Sequence, residues 1–141
     1  MTLYAESSAV LAWLLDEPDG RAARERLAKA EIVVASDLTL IECDRVLMRA
    51  SALGELTEAE VANRRGHLTT VAAHWHVLRI GGEIVDRARQ PFPGEPIRTL
   101  DAIHLASALV ARSAAPGLEL LSFDERIRTA GRKLGLPLQP E

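Results

Sequence analysis

Residues 2–15 read Thr-Leu-Tyr-Ala-Glu-Ser-Ser-Ala-Val-Leu-Ala-Trp-Leu-Leu. Thr2 to Ala5 fits a short strand in which Leu3 and Tyr4 can pack. Ser7 or Ser8 is placed to cap a helix through Leu15, and Pro18 stops it. The stretch is a strand that passes through one acidic residue, Glu6, into a buried helix, and the rest of the chain repeats that arrangement.

Working outward, a second helix is expected from about Pro18 to Ala30, with Ala22, Ala23 and Leu27 as its apolar positions. Glu31 to Ala35, with Ile32-Val33-Val34 at its centre, reads as a fully buried strand. Ser36 is the expected N-cap of a helix carrying Leu40, Cys43, Leu47 and Ala50 on one stripe, closed by Gly54. Thr57 with Glu60 three residues on forms a capping box and opens a helix to about His74. His76 to Ile80 reads as strand and Gly81 to Gln90 as a short helix. Pro91, Pro93, Gly94 and Pro96 mark a loop. Thr99 is the expected cap of a helix through Ala111, with Ile103, Ala106 and Val110 on one face. Leu118 to Ser122 is a strand, and Asp124 to Gly135 the last helix. Strands alternating with helices imply parallel pairing and right-handed crossovers. The fold class is therefore α/β, a three-layer single domain over residues 1–141.

Composition narrows the function. Of the 141 residues, 48% are hydrophobic and 26% charged, which allows one real core and excludes a disordered tail. A single cysteine, Cys43, excludes an internal disulfide framework and a cysteine zinc cluster, and fits a reducing cytoplasm. Ser8 to Leu15 is apolar but far shorter than the ~20 residues a membrane helix needs, and no basic flank precedes it. No membrane partner is expected. The net charge of −3 argues against a uniformly basic RNA-binding surface. Nucleic acid would have to be met by a local basic patch or through a metal.

The acids are placed unevenly. Open parallel sheets bind ligands beyond the carboxyl ends of their strands. Glu6 directly follows the first strand, Glu42 lies early in the helix after the second, and Asp124 closely follows the fourth. Asp101, in the first turn of its helix, joins them if that helix starts at the same edge. Acids near helix starts also favour the macrodipole, a reading that suits Asp101 and Asp124 but not Glu42, which lies past its cap between Ile41 and Cys43. Carboxylates ~5 Å apart repel by about 3 kcal/mol per pair at an effective dielectric of 20, so a gathered set needs protonation or a cation. Oxygen ligands without a Cys or His cluster select Mg²⁺ or Mn²⁺. Such a site suits hydrolysis of nucleic acid.

Tyr4-Ala5-Glu6-Ser7-Ser8-Ala9 resembles the opening motif of PIN-domain nucleases of the VapC toxin type, where Asp usually stands at the place of Glu6. Ser36-Asp37-Leu38-Thr39-Leu40-Ile41-Glu42 resembles the second motif, which ends in an acidic ligand. Arg98-Thr99-Leu100-Asp101-Ala102-Ile103-His104-Leu105-Ala106 is the most specific match. Ser122-Phe123-Asp124, followed by Ala130 and Leu134-Gly135-Leu136, resembles the closing motif. The four occur in the family's order across nearly the whole chain. The resemblance implies a parallel sheet of about five strands with helices on both faces and Mg²⁺- or Mn²⁺-dependent endoribonuclease activity. It also implies a homodimer, and an antitoxin protein that binds DNA and blocks the site, as in a type II toxin–antitoxin system. It makes Glu6, Glu42, Asp101 and Asp124 the metal ligands and Ser8 a supporting hydroxyl, with Ser122 in a similar role near Asp124. The extra methylene of Glu6 leads us to expect weaker metal binding or slower turnover than an aspartate would give.

Other polar residues are read conservatively. His104 falls near the face of Asp101 and is taken as a packed or hydrogen-bonded helix residue. His67, His74 and His76 lack ligand spacing. Trp13 and Trp75 are read as core or interface residues, Cys43 as a small buried hydrophobe, and Asp37 as a cap-region charge. Arg98 abuts the Asp101 motif, where it could meet a phosphate or simply pair with an acid. Arg64, Arg65, Arg126 and Arg128 are read as solvated, although an RNA-binding protein needs one such pair as its basic approach. Two other functions compete: a PIN-like module that binds RNA or a partner without cutting, and a phosphohydrolase using an aspartyl nucleophile. The second needs an aspartate after the first strand, where Glu6 stands.

Overall fold

The computed structural model describes residues 1–141. Five strands, β1 (Thr2–Ala5), β2 (Ile32–Ser36), β3 (His76–Leu78), β4 (Glu119–Leu121) and β5 (Leu138–Gln139), form one sheet in the order β3-β2-β1-β4-β5. Every pairing is parallel. The helices are α1 (Ser7–Leu14), α2 (Gly20–Lys29), α3 (Asp37–Ala52), α4 (Glu58–Ala72), α5 (Gly82–Ala88), α6 (Thr99–Ala114) and α7 (Glu125–Lys133).

The three layers follow from the twofold alternation of side chains along each strand. Tyr4, Val34 and Leu120 stand in register and face a core shared with α5, α6 and α7, including Ile84, Leu105 and Ile127. Their neighbours Leu3, Ala5, Val33 and Leu121 point the other way, against α1 to α4. The central strand is buried on both sides, with Leu3, Tyr4 and Ala5 all at 0% exposure, which is why these strands lack the alternation of a half-exposed sheet. On the α1 side the layers come very close. A Cβ on Gly20 would lie 2.3 Å from the Ala12 carbonyl oxygen, so α2 can pack on α1 only through a glycine.

Several local expectations change. Glu6, not Ser7 or Ser8, occupies the N-cap of α1, its carboxylate accepting from the Ser8 amide. Ser36 precedes α3 but makes no capping bond, because its hydroxyl is taken by Tyr4. Thr99 is the first residue of α6 and Arg98 holds the cap position. That helix is buried nearly all round, through Ala102, Leu105, Ala106, Ala108 and Ala111, while Ile103 and Val110 are only partly covered. It therefore lacks a single apolar stripe. The segment after Gly135 adds β5, whose two residues are too few to show a periodicity. Arg128 is not solvated. It is 8% exposed and donates to the carbonyls of Ser122 and Pro140, closing the chain end against β4.

The strand order places the reactive edge. From β1 the chain moves outward through β2 to β3, then returns across β1 to β4 and β5. The connections leaving β1 and β4 diverge, and the crevice beyond their carboxyl ends is the topological switch point at which such sheets bind ligands.

Candidate active site

Glu6 leaves β1 and Ser122 leaves β4 at that crevice. The Glu6 amide donates to the Leu121 carbonyl at 3.1 Å, which fixes the two strand ends together. Glu6 is 5% exposed. Its Oε2 accepts from the Ser8 amide at 3.0 Å, from the Ser122 hydroxyl at 2.8 Å and from the Ser8 hydroxyl. Burial raises the pKa of this carboxyl, against the lowering effects of the His104 charge and the serine hydrogen bonds. Ser122 in turn accepts from the Asp124 amide at 3.1 Å, linking the first acid to the fourth.

Asp124 caps α7. Its Oδ1 accepts from the amides of Arg126 and Ile127 at 2.9 and 3.2 Å. Arg126 stands between two acids, its guanidinium 3.9 Å from Asp124 Oδ2 and 3.9 Å from Asp101 Oδ2. Burial and then the charge of Asp124 raise the Asp101 carboxyl, while Arg126, His104 and Arg98 pull it down. The repulsion expected between gathered acids is thus present at this pair.

Glu42 reaches the edge from α3. Its Oε1 accepts from the Ser7 hydroxyl at 2.6 Å and contacts His104 Nε2 at 2.5 Å. Burial raises this carboxyl, but the bonds from His104 and Ser7 outweigh it and the net shift is downward. His104 is 2% exposed, and its Nδ1 lies 3.0 Å from the Tyr4 hydroxyl, which donates to Ser36 Oγ at 3.1 Å. Burial pushes the Tyr4 phenol up to about 12, so it stays protonated.

Glu6, Asp124 and Asp101 are therefore linked through Ser122 and Arg126, whereas Glu42 has separate partners in Ser7 and His104, and no three His, Cys, Asp or Glu side chains are grouped closely enough to hold a metal as they stand. What the four acids share is an uncommitted oxygen. Glu6 uses only Oε2 and Glu42 only Oε1. Asp124 binds the backbone through Oδ1, and Asp101 has only the loose contact to Arg126. Hard carboxylate oxygens held on one side and open on the other suit a hard divalent cation.

The sequence reading missed the roles of Ser7, Tyr4 and Ser36 and undervalued His104. The signals were there: Ser7 adjoins Glu6, and His104 lies three residues after Asp101 on the same helix face. The Ser8 hydroxyl donates to Glu6, and Ser122 donates to Glu6 while accepting from the Asp124 amide.

The PIN-domain profile matches residues 3–133. The chain belongs to the PIN-domain family. This PIN domain is 34% identical to ribonuclease VapC46 of Mycobacterium tuberculosis over 134 residues, covering 95% of this chain and 93% of that protein. It is 28% identical to ribonuclease VapC35 of the same species, over 95% of this chain and 83% of that one. Among solved structures, the VapBC2 complex of Rickettsia felis bound to a promoter DNA fragment includes a chain that superposes with TM-score 0.64 at 14% identity, covering 99% of this chain and 98% of that one. M. tuberculosis VapC20, described as a toxin that cleaves the sarcin-ricin loop, gives TM-score 0.64 at 16% identity over 92% and 95% of the two chains. These likenesses confirm the expected three-layer fold with five parallel strands.

Proposed function

We propose that this PIN domain is a Mg²⁺- or Mn²⁺-dependent endoribonuclease, the toxin of a toxin–antitoxin pair. The observation that carries the reading is that Glu6, Glu42, Asp101 and Asp124 each keep a carboxylate oxygen free of protein hydrogen bonds. Glu6, Glu42, Asp101 and Asp124 would hold the cation through those oxygens. When bound, it supplies Lewis acidity toward water and a phosphate oxygen. The chain's own groups do the rest. Ser8 and Ser122 fix the Glu6 carboxylate, Ser7 and His104 fix that of Glu42, and the α7 amides fix that of Asp124, so little reorganisation is left for the reaction. The names of the relatives support RNA as substrate.

Residues 1–141 are taken as one domain acting in the cytoplasm, which suits the free, buried Cys43. No helix is long and apolar enough to cross a membrane. An antitoxin partner is supported by neighbours solved as toxin–antitoxin complexes. Homodimer formation is supported by Ile41 and Met48, exposed seven residues apart on one face of α3.

The test is RNA cleavage with Mn²⁺ by the wild type and by Asp101→Asn. Cleavage that depends on metal and disappears in the variant is expected. Metal-dependent RNA cleavage equal in the two proteins removes Asp101 from the site. Tight RNA binding without any cleavage would make the chain the binding module that Glu6, in place of the family's Asp, also allows.

A further inference from the structure

Next to Asp101, the 91–98 loop, the start of α6 and the outer face of α7 enclose a cleft of about 550 Å³. Arg98, Arg126 and Lys133 line it, with Asp101 and Glu125 as its acids. We propose that this cleft seats backbone phosphates of the RNA flanking the scissile bond, with Lys133 and Arg98 as the outer phosphate-binding side chains and Arg126 nearest the acids; the proposal rests on the nuclease reading of the adjoining site.

Three observations support it. The cations are available: Lys133 and Arg98 make no ion pair or side-chain hydrogen bond, and Arg126 has only contacts at 3.9 Å. The three cations outnumber the two acids of the lining, and Glu125 also lies 3.8 Å from Arg128. A chain with net charge −3 thus carries a local positive surface at the entrance to its acidic centre, the electrostatic footprint that a polyanion requires.

The second observation is that the wall is built in advance. The Glu95 carboxylate accepts from the amides of Phe92 and Ile97 at 2.9 and 2.7 Å. Phe92 is buried beneath the Arg87 guanidinium, 4.2 Å from its ring centre. The third is the fit of Lys133 against the loop. Gly94 has φ +86°, and a Cβ there would fall 2.8 Å from Lys133 Nζ. The turn favours glycine, and the exposed Lys133 side chain lies directly over it, so its ammonium stands at the loop side of the cleft.

Cations that contact phosphate leave a salt signature. Each phosphate neutralised on a single strand contributes about 0.7 to the slope of log K against log salt. The experiment titrates a fluorescein-labelled single-stranded RNA of mixed sequence into the wild type, Lys133→Ala, Arg98→Ala and, as a control from α2, Arg24→Ala. EDTA prevents cleavage, and the series is repeated across salt concentrations. Steady-state cleavage with Mn²⁺ runs in parallel. Lys133→Ala and Arg98→Ala are each expected to weaken binding about tenfold and reduce the slope by about 0.7, raising KM with little change in kcat, while Arg24→Ala behaves as wild type. Unchanged slope and affinity in both cleft variants, with the wild type still cutting RNA, overturn the cleft and leave the nuclease reading standing. A wild type that binds RNA with the expected slopes but never cuts overturns the nuclease reading instead. If Lys133→Glu keeps RNA affinity but stops binding poly-glutamate, the cleft docks an acidic protein segment and the proposal is wrong.

Discussion

Replacing His104 by leucine tests whether the second ligand is held from behind. The imidazole is 2% exposed, so leucine refills most of its volume and leaves little cavity. Tyr4 keeps its bond to Ser36, and Ser7 keeps its bond to Glu42. The main loss is the 2.5 Å contact to Glu42 Oε1. A hydrogen bond to a charged group is worth about 1.5–3 kcal/mol, and because the Glu42 side chain is 27% exposed urea unfolding should show a loss at the lower end of that range. Glu42 would then be fixed by Ser7 alone, and loss of a group that orients a metal ligand typically costs about 10–100-fold in affinity. Calorimetric titration with Mn²⁺ reads that loss. Tyr4→Phe is the companion variant. It takes the hydroxyl partner from both the buried Ser36 and His104 Nδ1 and costs about 1–3 kcal/mol of stability, but the His104 Nε2 contact to Glu42 remains, so Mn²⁺ affinity should fall less than in His104→Leu. Wild-type affinity in a folded His104→Leu protein, or a larger loss in Tyr4→Phe than in His104→Leu, would refute the idea that His104 positions Glu42.

Three further outcomes are expected. Because burial raises the folded-state pKa of Glu6 above its unfolded value, the folded state holds that proton more tightly and loses stability as pH rises through the window between the two. In metal-free urea unfolding between about pH 4 and pH 8, Glu6→Gln should therefore gain on the wild type as pH rises; a difference independent of pH would contradict this. Glu6→Asp should bind Mn²⁺ more tightly and cleave RNA faster than the wild type, by the methylene argument, and equal or lower values count against it. Gly20→Ala should cost about 1–3 kcal/mol in thermal unfolding, since its Cβ meets backbone at 2.3 Å and nothing there can swing aside.

The sequence by itself determined the architecture. Apolar runs such as Ile32-Val33-Val34 suit strands covered on both faces, although Ile32 at the start of β2 is 42% exposed against the expectation of full burial, and their alternation with helices points to a parallel sheet. It also placed Glu6 and Asp124 just past strand ends and Glu42 early in the helix after β2, because that position depends on order along the chain alone. What the tertiary structure decided depends on residues brought together from far apart in sequence. Glu6 is committed to Ser122 across 116 residues, and Tyr4 meets His104 across 100. Arg128 looked solvated because its carbonyl partners come from the end of β4 and the last residues of the chain. Hydrogen bonds are directional and short-ranged, so which polar groups share a partner is settled only when the strands and helices are packed in register, and no local pattern records it.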